Sequence, residues 1–450
     1  MTTEQLLTGW GRTVPTRATL LRVRDMDDVV AALSTEGPVI ARGLGRAYGD
    51  AAQNAGGLVL DTRDLCRVTD FDRDRGTLTA EGGLDLGSLT ELVLPEGWAP
   101  PVLPGTRHVT LGGAVGCDIH GKNHHVDGSF ARWVEALELV TPTGEVRELR
   151  RTAQDDLFAA TMGGLGLTGV VTKVGLRLSP VPSGYLRLTT SRAENLAELL
   201  STMRERDREA RYSVAWVDCL KQGPGMGRGV LMHADHAPAD ELPFGLARKP
   251  YRFNGAGRLA VPDVVPSGAL NAMTARAFNA VWYRRAPGEE RTSYVGFAEF
   301  FHPLDSVANW NRLYGRQGLI QYQAVVPLEA ESVLDEMLRR VSDAGVTSFL
   351  GVLKRFGAGE PLLSFPMEGW TLALDLPAGA PNLPSVLDDL DGLVAGCGGR
   401  VYLAKDARLD PARLEAMYPE LPRWRAVQRE VDPSGRMRSD LARRLGLVSP

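Results

Sequence analysis

At 450 residues the chain exceeds the length over which one hydrophobic core usually keeps growing, so two domains are expected. Hydrophobic residues make up 44% and charged residues 24%, enough to bury sizeable cores. With 51 Lys and Arg against 55 Asp and Glu, the net charge of −4 excludes a general nucleic-acid or anionic-membrane partner and makes any basic site local.

The N-terminus has neither a basic nor an apolar leader region, and no stretch approaches the roughly eighteen apolar residues of a membrane span. Residues Leu20 to Leu33 carry apolar side chains at helical spacing, and Pro38-Val-Ile-Ala-Arg42 reads as a short buried strand. That strand runs into Gly43-Leu-Gly-Arg-Ala-Tyr-Gly49-Asp50, a loop whose amides could cradle phosphate. Its G-x-G-x-x-x-G spacing, followed by Ala51-Ala-Gln-Asn-Ala-Gly-Gly57, is a poor helix start and therefore not a Rossmann fingerprint. Leu58–Asp61, Gly76–Glu81 and Val134–Val140 read as strands, with a helix over Asp85–Leu94.

Residues 112 to 129 hold five glycines and three of the seven histidines in eighteen positions. Such a stretch is expected to form neither a core strand nor a helix, but the wall of a ligand site. Thr143-Gly144 marks a hairpin turn leading to Glu145–Leu149, and Gly163–Gly169 leads into a strand at Val170–Leu178. Pro180 to Ser183 is the expected domain boundary.

Beyond it, Glu194–Ala210 reads as a helix, Tyr212–Val217 as a strand, and Ala234–Asn279 as a long irregular interval suited to a lid. Strand Leu319–Val326 places Gln321 and Gln323 on one face. Helices over Ala330–Ala344 and Ser385–Ala395 alternate with strands at Phe349–Lys354 and Trp370–Leu376, an α+β pattern. Ser439 caps a short final helix. Cys66, Cys117, Cys219 and Cys397 show no C-x-x-C spacing, which points to free thiols in a reducing compartment. A metal site at His120-x-x-x-His124-His125 is not expected, because Gly121-Lys-Asn is poor helix material.

Five segments together resemble the vanillyl-alcohol-oxidase type of FAD flavoproteins: Ala41–Asp50, Leu103-Pro-Gly-Thr-Arg107, Thr110-Leu-Gly-Gly113, Cys117-Asp-Ile-His-Gly-Lys-Asn-His-His125 and Tyr402-Leu-Ala-Lys405-Asp406. With Gly318-Leu-Ile-Gln-Tyr-Gln323 and Leu363-Ser-Phe-Pro366, the resemblance narrows to the branch acting on polyprenylphosphoryl ribose, and it spans Thr8 to Leu445. It implies an α+β fold: a two-part PCMH-type FAD-binding domain, residues 1–183 and 400–450, with an inserted α+β substrate domain, 184–399, built on an antiparallel sheet.

The resemblance further implies FAD contacts from Ala41, Arg42, Gly43, Leu44, Gly45, Arg46, Ala47, Tyr48, Gly49, Asp50 and Ala51. Gly105, Thr110, Leu111, Gly112 and Gly113 would extend that cradle, and Cys117, Asp118, Ile119, His120, Val171 and Tyr402 would complete it. Covalent relatives carry a histidine in the first glycine loop where this chain has Arg46, so non-covalent FAD is expected. The implied reaction is oxidation of the ribose 2′-hydroxyl, with a free aldose, alditol or aldonolactone as the alternative substrate.

Lys405 is the candidate cation beside the flavin and His120 the candidate proton acceptor. Lys122, Gln321, Gln323, Lys354, Tyr48 and Trp216 are candidates for holding the sugar and its phosphodiester. Ala373 stands where mycobacterial relatives carry a cysteine, so no thiol adduct is expected there. The interval holding Leu259-Ala-Val-Pro and Val264-Val-Pro would either cover the prenyl tail as a lid or membrane-contacting loop or serve as an ordinary connecting loop. The partners implied are the ribosyl lipid, a short-chain NAD(P)H-dependent reductase that completes an epimerisation, and a membrane surface, with no nucleic acid. The expected location is cytoplasmic or membrane-associated; a periplasmic one would require export.

Overall fold

The computed structural model describes residues 2–152, 155–253, 259–263 and 271–448. A first sheet orders Thr2–Leu7, Thr16–Arg22, Leu58–Asp61 and Val39–Arg42, the first pair antiparallel and the others parallel. The helix expected over Leu20–Leu33 is divided: Thr19 to Arg22 pair with Leu58 to Asp61, and the helix is Met26–Leu33. Asp25 explains the break, because its side chain accepts from the Asp28 amide and starts the helix there. Ala51 to Gly57 is a turn held by buried amides. Asn54 Nδ2 donates to the carbonyls of Pro38 and Leu58 at 2.9 and 3.0 Å.

The second sheet is antiparallel, in the order Val68–Asp72, Thr77–Glu81, Val170–Arg177, Val134–Val140, Val146–Arg150. The glycine-rich stretch departs from expectation, since Leu111–Gly116 is helical, with Thr110 as cap accepting from the Gly113 amide. Glycine costs a helix up to about 1 kcal/mol per residue. Burial of Leu111, Ala114 and Val115 outweighs that cost. A side chain on Gly112 would meet the Gly82 carbonyl at 3.2 Å, so glycine lets the helix lie close to the sheet.

The third sheet has eight strands: Arg291–Gly296, Tyr185–Ala193, Gly229–His236, Tyr212–Val217, Gly351–Phe356, Gly369–Pro377, Leu319–Val326 and Arg400–Val401. Helices Leu196–Arg206, Glu331–Asp343 and Leu383–Gly396 cover one face, packing Leu199, Met337 and Leu387 into one core with Leu353, Leu372, Leu374 and Tyr322. The alternate residues Gln321, Gln323, Lys354, Thr371 and Ala373 point the other way, into a cavity.

The described residues between Ala234 and Asn279 include regular elements that the composition does not suggest. They contain the end of strand Gly229–His236, a short helix Phe244–Ala247, strand Leu259–Ala260 and the start of helix Ala272–Arg285. Asn271 starts that helix with a capping box to Thr274. The Val264-Val-Pro segment lies outside the described residues. Among the described residues, no helix is long and apolar enough to cross a membrane.

Candidate active site

A cavity of about 1220 Å³ separates the glycine loops from the open face of the large sheet. On the loop side its wall includes Ala41, Gly43, Leu44, Gly45, Arg46, Ala47, Tyr48, Ala51, Gly105, Thr110, Gly112, Gly113, Cys117, Ile119, His120 and Val171. Across from them stand Trp216, Gln321, Gln323, Lys354, Tyr402 and Lys405, with Lys122 beside them. Segments scattered over most of the sequence thus meet at one site.

Five residues expected to touch the cofactor, Arg42, Gly49, Asp50, Leu111 and Asp118, lie outside this wall, where they brace it. The Arg42 guanidinium donates to the carbonyls of Ala52 and Thr8 at 2.9 and 2.7 Å. A side chain on Gly49 would come within 1.8 Å of the Asp406 carbonyl, so the loop locks against the Lys405 segment. Arg444 bridges Asp50 and Asp406, each at 2.9 Å. Leu111 is core. Asp118 is buried in a left-handed conformation, φ 37°, held by the Ala131 amide and the Ser364 hydroxyl. Burial raises its carboxyl pKa to about 6.

The loop wall fits a dinucleotide. A Cβ on Gly105 would meet nothing within 4 Å and Gly45 adopts φ 61°, while the amides of Leu111, Gly112 and Gly113 in the helix beside them are taken by Leu84, Gly82 and Thr110. Arg46 lies 3.9 Å from the Trp10 ring centroid, and its buried Nε has no partner among the described residues.

At the opposite wall, the Thr371 hydroxyl donates to the Ala324 carbonyl at 3.0 Å, so its oxygen accepts from Gln323 Nε2 at 3.1 Å. This fixes the amide orientation and directs the second N–H at His120 Nε2, 2.9 Å away. The imidazole is therefore neutral, with its proton on Nδ1. Burial, Lys354, His124 and Lys405 hold its pKa well below the ordinary value.

Three lysines face the cavity. Lys405 Nζ sits 3.8 Å from the Tyr48 ring centroid, and burial lowers its pKa to about 7 against the opposing pull of Asp375. Lys122 donates to the Phe300 carbonyl and lies 3.9 Å from that ring's centroid; burial and Lys354 bring it to about 7. Lys354 has no hydrogen-bond or ion-pair partner among the described residues, and burial alone lowers it to about 8. Three amines crowded into one enclosure, with Asp375 the carboxylate nearest them among the described residues, suit an anionic ligand, whose charge would hold them protonated.

Trp216 is fixed by a 3.2 Å bond from its indole N–H to the Phe349 carbonyl. Tyr402 donates to the Cys117 carbonyl at 2.7 Å and stacks on Phe365 at 4.4 Å. Burial pushes the Cys117 thiol up to about 11, keeping it protonated. His124 and His125 bond to backbone at Gly357 and Ala210.

The sequence reading missed Asp375, which accepts from Gln321 Nε2; that nitrogen also donates to the Tyr48 hydroxyl at 3.2 Å. The other carboxylate oxygen is buried without a partner, and burial raises the pKa to about 6. A signal existed in the period of two that places Thr371, Ala373 and Asp375 opposite Val325, Gln323 and Gln321. Nothing in the sequence marked Phe300, Asp305 or Trp310, which reach the wall from the short helix Phe297–Phe301 and the 3-10 turns Pro303–Ser306 and Trp310–Tyr314.

The chain matches the FAD binding domain family over residues 18–150 and the D-arabinono-1,4-lactone oxidase family over residues 382–445. It is 41% identical to decaprenylphosphoryl-β-D-ribose oxidase of Mycolicibacterium smegmatis, covering 99% of this chain and 98% of that protein. An uncharacterized protein of Streptomyces coelicolor is 44% identical over 81% of this chain and its own full length. L-gulonolactone oxidase of Scyliorhinus torazame is 33% identical over 26% of each chain.

Proposed function

Because this chain belongs to the decaprenylphosphoryl-β-D-ribose oxidase family of FAD-dependent oxidoreductases, we propose that it oxidises the ribose 2′-hydroxyl of a polyprenylphosphoryl-β-D-ribose to the 2′-ketone. The observation that carries this reading is a single cavity with three unlike walls. The glycine loops suit the FAD diphosphate, the lysine cluster suits the ribosyl phosphodiester, and Leu188, Met232, Val295, Phe278 and Trp282 form an apolar flank for the prenyl chain. FAD, when bound, supplies the two-electron acceptor for the hydrogen leaving C2′.

The chain's own groups bind, orient and move the proton. Lys354, unpaired among the described residues, and Lys122 hold the phosphodiester, with Trp216 beside them and Gln321 and Tyr48 orienting the sugar. His120 is neutral at working pH, so Nε2 can take the hydroxyl proton once the Gln323 amide yields that lone pair to the substrate. Lys405, titrating near neutrality and steadied by Asp375, supplies positive charge where negative charge develops. Attachment of FAD is non-covalent, in keeping with Arg46 in the first glycine loop and with His120 and His124 already bonded to Gln323 and Gly357. Flavin that precipitates with acid-denatured protein would contradict this.

The proposed division, 1–183 with 400–450 binding FAD and 184–399 binding substrate, is supported by Val39 pairing with Met437 and by Arg444 bridging to Asp50. The ketone leaves for a separate NAD(P)H-dependent reductase, because this chain carries no dinucleotide fingerprint of its own. A lipid-linked substrate places the protein at a membrane surface as a peripheral protein. The lactone-oxidase match at the C-terminus favours a second reading, oxidation of a free aldose, alditol or aldonolactone. Anaerobic flavin bleaching by a prenylphosphoryl ribose, but not by ribose, arabinitol or arabinono-1,4-lactone, supports the first; bleaching by the free sugars alone supports the second.

A further inference from the structure

Helix Ala272–Arg285 is inverted relative to an ordinary surface helix. Only Ala275 and Asn279 are buried, while Met273 is 76% exposed, Val281 54%, Phe278 48% and Trp282 44%. Met273, exposed Ala277 and Val281 follow one another at intervals of four, an apolar stripe pointing at solvent. Apart from buried Ala275 and an edge contact of Phe278 with Phe349 at 6.3 Å, the helix is fastened by polar contacts. Asn279 Nδ2 donates to Asp218 at 2.8 Å, and the Tyr283 ring lies under Arg192 and Arg228, at 5.3 and 4.5 Å.

The helix contains no acidic residue, and Arg276, Arg284 and Arg285, all exposed, fringe the stripe. The next carboxylates, Glu289 and Glu290, lie beyond its end, and Glu290 is paired with Arg206. Phe278 and Trp282, stacked at 6.2 Å, belong both to this exposed surface and to the wall of the cavity. A protein whose overall charge is negative has thus concentrated cations and large apolar groups on one element at the cavity.

We propose that the outward face of helix Ala272–Arg285 docks on an anionic lipid surface, with Met273, Ala277 and Val281 entering the interface and the three arginines meeting lipid headgroups. Apolar side chains at the interface, a tryptophan at the boundary and cations toward the headgroups are what such a surface selects. Each arginine near an anionic leaflet is worth roughly a fivefold gain in partition. The purpose of this contact rests on the lipid-linked substrate proposed above: docking sets the cavity against the bilayer, so that the prenyl chain reaches Phe278 and Trp282 without crossing water.

The test is sedimentation of the FAD-loaded protein with phosphatidylglycerol–phosphatidylcholine vesicles and with pure phosphatidylcholine vesicles, without substrate, so that its outcome is independent of which sugar is oxidised. The wild type is expected to sediment with the anionic vesicles, with Trp282 fluorescence shifted to the blue. Met273→Glu/Val281→Glu should weaken partition by about tenfold or more, and Arg284→Gln/Arg285→Gln should weaken it and flatten its salt dependence. Neither pair lines the cavity, so the flavin spectrum and turnover of a short-chain, water-soluble substrate should stay unchanged. Equal binding to neutral vesicles, or wild-type partition by the first double variant, overturns the proposal. A concentration-dependent dimer abolished by Met273→Glu/Val281→Glu would also overturn it, by assigning the stripe to a second copy of the chain.

Discussion

Replacing Lys354 with methionine should stabilise the protein while weakening its hold on substrate. Lys354 has no counter-ion among the described residues, and burial moves its pKa from 10.5 to about 8. At about 1.4 kcal/mol per pH unit, holding that charge at pH 7 costs roughly 3 kcal/mol. The side chain faces a cavity that water enters, so half of this, about 1.5 kcal/mol, is the reasonable expectation for substrate-free enzyme. Methionine has similar length and no charge. The sign follows from proton uptake: the folded state binds fewer protons than the unfolded one between about pH 8 and 10.5, so the wild-type penalty is complete below about 8 and gone above 10.5. The stabilisation by Lys354→Met should therefore be full at pH 7 and vanish toward pH 10.5, as read by urea unfolding of the FAD-loaded protein. Against this, a phosphodiester within about 4 Å of the ammonium gains up to about 4 kcal/mol at an effective dielectric near 20 before desolvation. KM for the ribosyl lipid should rise at least about tenfold, with a smaller change in kcat. A variant less stable than the parent at pH 7, or one with unchanged KM, would refute the reasoning.

Asp375→Asn removes the carboxylate that holds up the Lys405 pKa, so the alkaline limb of the flavin-reduction rate should move to lower pH, and an unmoved limb would uncouple the two residues. His120→Gln preserves a polar wall but cannot accept a proton; the reduction rate at pH 7 should fall by about a hundredfold or more, and near-normal reduction would leave His120 only a wall residue. Gly105→Val adds a side chain in open space, so the protein should fold but show a reduced flavin-to-protein absorbance ratio. Gly49→Ala, which meets the Asp406 carbonyl at 1.8 Å, should instead impair folding.

Much of this was legible in the sequence where local chemistry decides the outcome. Strands Leu58–Asp61, Val134–Val140 and Tyr212–Val217 fall where alternation and turn residues put them, and Ser439 caps its helix. Gln321 and Gln323 reach the cavity together because the side-chain period of a strand is fixed. The failures arise where distant partners decide. Thr19 to Arg22 join a parallel ladder with residues nearly forty positions away, which helical spacing cannot reveal. Leu111–Gly116 is helical despite its glycines because packing against the neighbouring sheet buries Leu111, Ala114 and Val115. Asp118 and Asp50 stand within site-like strings and their carboxylates bond to Ala131, Ser364 and Arg444, while Asp375 stands in an ordinary strand and faces Gln321. Motif membership reports proximity to a site, whereas the direction of a side chain is set by packing.

The central claim is removal of hydrogen from C2′ of a lipid-linked ribose, and anaerobic flavin reduction with substrate deuterated at C2′ tests it most directly. A slowed bleaching with the 2′-deuterated lipid, and none with deuterium at C3′ or C5′, is the predicted result. Reduction at the same rate with every isotopologue and with deuterium retained at C2′ in the product, or reduction by free sugars alone, would contradict the account.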